Sequence, residues 1–193
     1  MISKNTIKLI KSLAIKKIRA KENLFLVEGD KIVAEVLESK FQVEKLYATG
    51  TFLVKNKSKI KNAKIVTEVS REDINQASLM KNPQNSIALC ALPAENKLPG
   101  RIDSNMSIYL DEIQVPGNLG TIILICDWFG IVLLFCSPKT ADLFNPKVIQ
   151  SSMGSFCRVE VFYTPFVHVA ALADKLGIPV FGAFLNGENI YEQ

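Results

Sequence analysis

LDEIQVPGNLGTIILICDWFG, Leu110 to Gly130, decides how this chain is read. A short apolar strand, Ser107 to Leu110, runs into a polar segment holding Pro116, Gly117, Asn118 and Gly120. The spacing predicts a loop there and a helix from about Asn118 to Phe129. A second apolar strand, Ile131 to Cys136, then completes a βαβ unit. Such a unit builds sites in a standard way. A strand ends, a glycine-bearing turn lets another molecule approach the backbone, and a helix N-terminus offers unpaired N–H groups. Glycine and proline also serve turn geometry alone, so the segment by itself leaves a ligand site and a plain turn both open.

The βαβ pattern continues outward. Pro146 to about Met153 reads as a helix with proline in its first turn. Arg158 to Phe162 reads as a strand. Thr164 is placed to cap a helix from Pro165 to Leu176, which Gly177 ends. Ile178 to Phe184 reads as a further strand before the polar turn at Asn186 to Asn189. Upstream, Ser3 to Ile18 reads as one basic amphipathic helix with Ile7, Ile10, Leu13 and Ala14 on one side. Strands are expected at Leu24–Val27, Val43–Ala48, Lys64–Val66 and Ser86–Leu92. The helix at Asp30–Glu38 buries Ile32, Val33, Val36 and Leu37. A lysine-rich helical stretch is expected at Thr51–Ile60, and a helix capped by Ser70 has Asp73 at capping-box spacing. Residues 94–104 carry no apolar periodicity and read as a linker between units 1–93 and 105–193.

Composition narrows the function classes. The 193 residues are 48% hydrophobic and carry a net charge of +4. That supports a real core and permits nucleic-acid binding. Before Glu22 there are seven Lys/Arg residues and no acid. Lys8, Lys11, Lys16, Lys17 and Arg19 from this stretch, with Arg158, are candidates for RNA phosphates, against the alternative of a solvated helix face or, for Arg158, a carboxylate partner. Four separate cysteines and one histidine (His168) argue against a zinc site and for reduced thiols in a cytoplasmic protein. The apolar run Thr121–Phe135 is broken by Asp127 and Gly130, too interrupted to cross a membrane. Asp111-Glu112 reads as solvated acids rather than a cation site. Glu28-Gly29 reads as a strand-to-helix turn that needs glycine.

PGNLGT and the helix after it resemble the first motif of the SpoU-type (TrmH-like, SPOUT superfamily) RNA 2′-O-ribose methyltransferases. The resemblance extends through DLFNPKVIQSSMGSFCRVEV (Asp142–Val161) and VFGAFLNGENIY (Val180–Tyr191). In the first half, KNTIKLIKSL, KKIRAKENLFLVEGDKIVAEVL and SIALCAL resemble the substrate-binding domain that precedes the catalytic domain in many members.

The resemblance implies an α/β protein in two parts: a small N-terminal substrate-binding domain, then a parallel-sheet α/β-knot domain. It implies S-adenosyl-L-methionine as methyl donor, a ribose 2′-hydroxyl of ribosomal or transfer RNA as acceptor, a homodimer, and no metal. It makes Asn118 the residue that organises the reactive turn, and Ala183, Phe184, Leu185, Asn186 and Gly187 the part of the cofactor wall within the chain. Leu124 occupies the position of the family arginine that assists deprotonation, and leucine neither donates a hydrogen bond nor carries charge. The chain stops at Gln193, before the family's last motifs, and none of them is present. Together these departures lead us to expect impaired turnover that Leu124→Arg alone does not rescue. The alternative is a non-catalytic RNA-binding remnant. A phosphate-binding small-molecule enzyme fits less well, because the loop lacks GxGxxG or GxxxxGK spacing.

Overall fold

The computed structural model describes residues 1–94, 98–99, 106–183 and 187. Two helices, α1 (Lys4–Ser12) and α2 (Lys16–Glu22), lead into β1 (Leu24–Glu28), α3 (Asp30–Leu37), β2 (Val43–Ala48) and α4 (Gly50–Lys55). β3 (Ala63–Glu68), α5 (Arg71–Ala77) and β4 (Ser86–Ala91) follow. The second half comprises β5 (Ile108–Leu110), α6 (Pro116–Trp128), β6 (Leu133–Cys136), α7 (Pro146–Ser151), β7 (Glu160–Tyr163) and α8 (Phe166–Leu176). The first sheet has the order β1-β4-β2-β3, with β1 and β2 both antiparallel to β4 and β3 parallel to β2. The second is fully parallel in the order β5-β6-β7. Its crossovers are α6 and α7, as parallel pairing of consecutive strands requires.

Alternation along the strands sorts their side chains into three cores. Leu26, Ile87 and Leu89 face α1 and α5, where they meet Ile10, Leu13 and Ile74. Leu133, Phe135 and Phe162 face α8 and meet Val169. The remaining faces of both sheets turn toward each other. Phe25, Val27, Ala88 and Cys90 from the first sheet join Leu134, Cys136 and Val161 from the second. Between them lie Val33, Val36 and Leu37 of α3, Leu119, Ile123 and Cys126 of α6, and Val148 and Ile149 of α7. The two halves therefore share one apolar layer. Phe25 anchors it, with its ring centroid 5.4 Å from Phe41, 4.7 Å from Phe144 and 6.3 Å from Phe156. Aromatic contacts of this kind add to the burial of large rings.

Several expected features form as read. Ser70 and Asp73 make the reciprocal capping box of α5. Gly29 sits at φ +97°, the left-handed region that glycine adopts without a Cβ penalty, between β1 and α3. Gly177 ends α8 in the same way. The four buried α3 residues are those read from periodicity.

Other features differ, each for a physical reason. The N-terminal helix is two helices, because the Arg19 guanidinium takes the carbonyls of Leu13 and Ala14 at 2.7 and 2.9 Å. Ile15 is extended there and precedes α2. Arg19 also binds Asp142 at 2.5 Å and is 2% exposed. It is thus not an RNA-facing residue but a buried tie between the two halves. The lysine-rich helix is short, ending at Lys55. Pro165, not Thr164, holds the N-cap position of α8, while Thr164 Oγ1 lies 3.0 Å from His168 Nδ1. Residues 178–183 form no strand among the described residues, and Val180 and Phe181 are 57% and 74% exposed.

All four cysteines are free, and only Cys157 is not fully buried. Burial raises each thiol, Cys136 to about 12 and Cys157 to about 11. The thiolate is the reactive form. Ellman's reagent at pH 8 is therefore expected to find no fast thiol on the folded protein and four after denaturation.

Candidate functional site

PGNLG is helix, not loop. Val115 is the N-cap, Pro116 takes the first helical position, and the Asn118 and Leu119 N–H groups already bond to the Val115 carbonyl at 3.1 and 3.2 Å. Proline suits that position because its missing N–H is one the first turn leaves unpaired anyway. Gly120 serves packing rather than backbone freedom. A Cβ at Gly120 would lie 2.6 Å from Ser151 Cβ and 2.7 Å from the Val148 carbonyl oxygen. Its lack of a side chain lets α6 lie against α7. The same contact brings Gly117 near Ser151. Asn118 is exposed beside that junction.

The connection from β5 to α6 is fixed by the loop after β6. Glu112, at φ +50°, donates its N–H to Ser137 Oγ at 2.8 Å. Ser137 N–H bonds to the Leu110 carbonyl, and Ala141 N–H to that of Ile113, both at 2.9 Å. Tyr163, at the carboxyl end of β7, donates its hydroxyl to the Ala141 carbonyl at 2.6 Å and accepts from Leu143 N–H at 2.8 Å. Three strand ends are thereby joined into one platform. Tyr163 and Ser137 carry no motif signal, and only their position at adjacent parallel strand ends identifies them. Of the Asp111-Glu112 pair, Glu112 meets Lys139 at 2.7 Å, which fits the solvated reading.

The remaining candidates divide. Lys8, Lys11, Lys16 and Lys17 are exposed and make no ion pair among the described residues. Arg158 is otherwise engaged. It grips Asp127 through Nε and Nη2, at 3.0 and 2.7 Å, and Glu35 through Nη1 at 2.6 Å. The carboxylate-partner alternative therefore describes Arg158 better than an RNA contact. The Arg158 hydrogen bonds hold the Asp127 carboxyl below its ordinary range. The stability this adds is present at neutral pH and lost as pH falls through the lowered value, and it is modest for a pair so near solvent. Leu124 is half-buried on α6 and offers no polar group.

Of the expected cofactor wall, Ala183 and Gly187 are exposed, and Phe184, Leu185 and Asn186 lie outside the described residues. Two exposed small residues do not by themselves fit around S-adenosylmethionine. Among the described residues no group of three or more His, Cys, Asp or Glu side chains is placed to hold a metal ion. No helix among them is long and apolar enough to cross a membrane.

Comparison with known proteins places this geometry. Residues 4–88 match the MRM3-like substrate binding domain, and residues 105–193 match the SpoU rRNA Methylase family. The chain is 31% identical to the Bacillus subtilis 23S rRNA (guanosine(2553)-2′-O)-methyltransferase RlmP, over 95% of this chain and 71% of that protein. It is 27% identical to the mitochondrial rRNA methyltransferase 3A of Danio rerio, over 75% of this chain but only 34% of that protein. A solved structure of a putative TrmH-family RNA methyltransferase from Porphyromonas gingivalis superposes with a TM-score of 0.87 at 37% identity. It covers the whole of this chain and 75% of that one. An AdoMet-bound rRNA methyltransferase from Sinorhizobium meliloti shares the fold, with a TM-score of 0.76 at 23% identity over 90% of this chain and 67% of that one. On this similarity in sequence, domain order and fold, the chain belongs to the SpoU rRNA methylase family.

Proposed function

We propose that this protein is an RNA ribose 2′-O-methyltransferase that draws its methyl group from S-adenosyl-L-methionine and acts on ribosomal RNA. The observation that carries this reading is the match over both halves to an enzyme named for that reaction. The platform at the ends of β5, β6 and β7, with exposed Asn118 in the first turn of the helix that follows β5, supports it. Open parallel sheets place ligands outside the carboxyl ends of their strands. The exposed lysines of α1 and α2 supply the phosphate contacts of substrate binding. The protein acts as a homodimer. Support comes from the C-terminal end of α6, where Ile125, Trp128 and the C-cap Phe129 are 46%, 83% and 73% exposed. Contiguous apolar surface of that kind is characteristic of interfaces. Its four unpaired thiols suit the reducing cytoplasm.

A ribose hydroxyl must shed its proton as it attacks, and a positioned base contributes roughly 10²–10⁴-fold to such a step. Leu124 cannot act as that base, so turnover is slow. Transfer of a labelled methyl group to ribosomal RNA, followed by alkaline hydrolysis, tests both claims. We expect RNA binding and a slow gain of alkali-resistant, ribose-methylated dinucleotides. Absence of both RNA binding and methyl transfer, or label on a base, overturns the assignment. A rate equal to that of relatives with arginine at this position overturns the role given to Leu124.

A further inference from the structure

A cleft lies away from the platform. Where α7 meets the N-terminal half, it has a volume of about 350 Å³ and is lined by Ala14, Leu26, Glu28 and Leu79 on one side and Lys147 and Gln150 on the other. That volume is within the range of small-ligand sites. Its inner end is polar. Glu28 is 8% exposed, and its Oε1 accepts from the Ser78 hydroxyl and from Leu79 N–H. Oε2 has only a 3.3 Å contact to the same N–H, so the Glu28 carboxylate, which lines the cleft, keeps acceptor capacity. Burial raises the Glu28 pKa, as befits a carboxyl shielded from water. The walls beside it are apolar. Lys147 brings a positive charge to the lining of the cleft. The cleft also shares a helix with the reactive turn, since Ser151, next to Gln150, lies against Gly117 and Gly120.

We propose that this cleft receives one unpaired base of the RNA, bearing an exocyclic amine that donates to Glu28, with Lys147 on the flanking phosphate. An acceptor inside, apolar walls and a lining cation match a nucleotide with its base inward and its phosphate outward. Sequence-specific RNA recognition commonly draws unstacked bases out of loops in this way. Carboxylates read amino groups on base edges, and a well-formed base contact discriminates severalfold to about a hundredfold. The inference rests on the RNA-modifying function proposed above and adds the residue that reads the base.

The test uses four labelled uridine decamers carrying a central A, C, G or U, with affinity read by fluorescence anisotropy. The wild-type protein is expected to bind the A, C and G decamers about tenfold more tightly than the all-uridine one. Glu28→Gln replaces an acceptor with a donor and is expected to abolish that preference. Ala14→Trp fills the cleft from an exposed position and is expected to equalise the four affinities even if Glu28→Gln fails to fold. Two results overturn the proposal: no base preference in the wild-type protein, or a wild-type preference kept by Ala14→Trp. If either occurs while the wild-type protein still methylates ribosomal RNA, the cleft assignment alone falls. If the wild-type protein binds no RNA, the proposed function falls with it.

Discussion

Replacing Arg19 by alanine is expected to destabilise the protein by about 3–5 kcal/mol, the cost of stripping one partner from a buried ion pair. The guanidinium is all but inaccessible and serves three acceptors at once: two carbonyls at the break between α1 and α2, and Asp142 across the junction of the halves. Alanine would leave the Leu13 carbonyl enclosed without this donor and Asp142 half-buried without its cation, and an unsatisfied buried group bears its full desolvation penalty. Lysine would not substitute, since a single ammonium cannot span the guanidinium's fork of donors. Equilibrium urea unfolding measures the loss. A contrast with Lys11→Ala makes the result specific. Removal of an exposed lysine is expected to leave the unfolding midpoint nearly unchanged and to lower RNA affinity with a shallower salt dependence. If Arg19→Ala unfolds like the wild-type protein while losing RNA affinity, the buried-tie account fails.

Gly120→Ala is expected to cost about 2 kcal/mol net, although alanine is the better helix former. Intrinsic propensity favours the change by about 1 kcal/mol. Packing opposes it more strongly, because the new methyl would meet Ser151 Cβ at 2.6 Å, the Val148 carbonyl oxygen at 2.7 Å and Ser152 N at 3.0 Å. Two of these three neighbours are backbone, so no rotamer change relieves them, and overpacking at such a site typically costs 1–3 kcal/mol or more. For a chain of this size the melting temperature is expected to fall by roughly 4–8 °C. Combining Gly120→Ala with Ser151→Gly removes one clash and leaves the carbonyl contact, so rescue is expected to be partial. A double-mutant cycle reads this as coupling between the two sites. The substitution also lifts the first turn of α6 from α7, so it should reduce methyl transfer beyond what the loss of folded protein explains. A melting temperature at or above the wild-type value would show that the two helices do not meet as described.

Where a sequence pattern reports a local rule, the structure follows it closely. The buried stripe of α3 needs only helical spacing, and the Ser70–Asp73 box only a three-residue offset. Gly29 and Gly177 mark left-handed backbone because few other residues tolerate it. The Leu110–Gly130 stretch showed a strand followed by a helix for the same reason. It did not show that PGNLG lies inside the helix, because glycine and proline in a first turn look like a loop until the partner surface is known. Gly120 is explained only by α7, whose sequence begins more than twenty residues later. Phe144 and Phe156 carry no local signal for the Phe25 ring they pack against.

The amino-acid order by itself determined the α/β class, the order of the two halves and the family, since periodicity, turn chemistry and motif wording are encoded over short distances. Tertiary structure alone decided which charged residues are free. Arg19 belongs to a basic stretch and Arg158 stands alone among apolar residues, yet each is directed to carboxylates far away in sequence, Asp142 for one and Asp127 and Glu35 for the other. Whether a cation faces solvent or a partner depends on which surfaces meet when two sheets close over a common apolar layer. That closure is a property of the whole chain and of no segment within it.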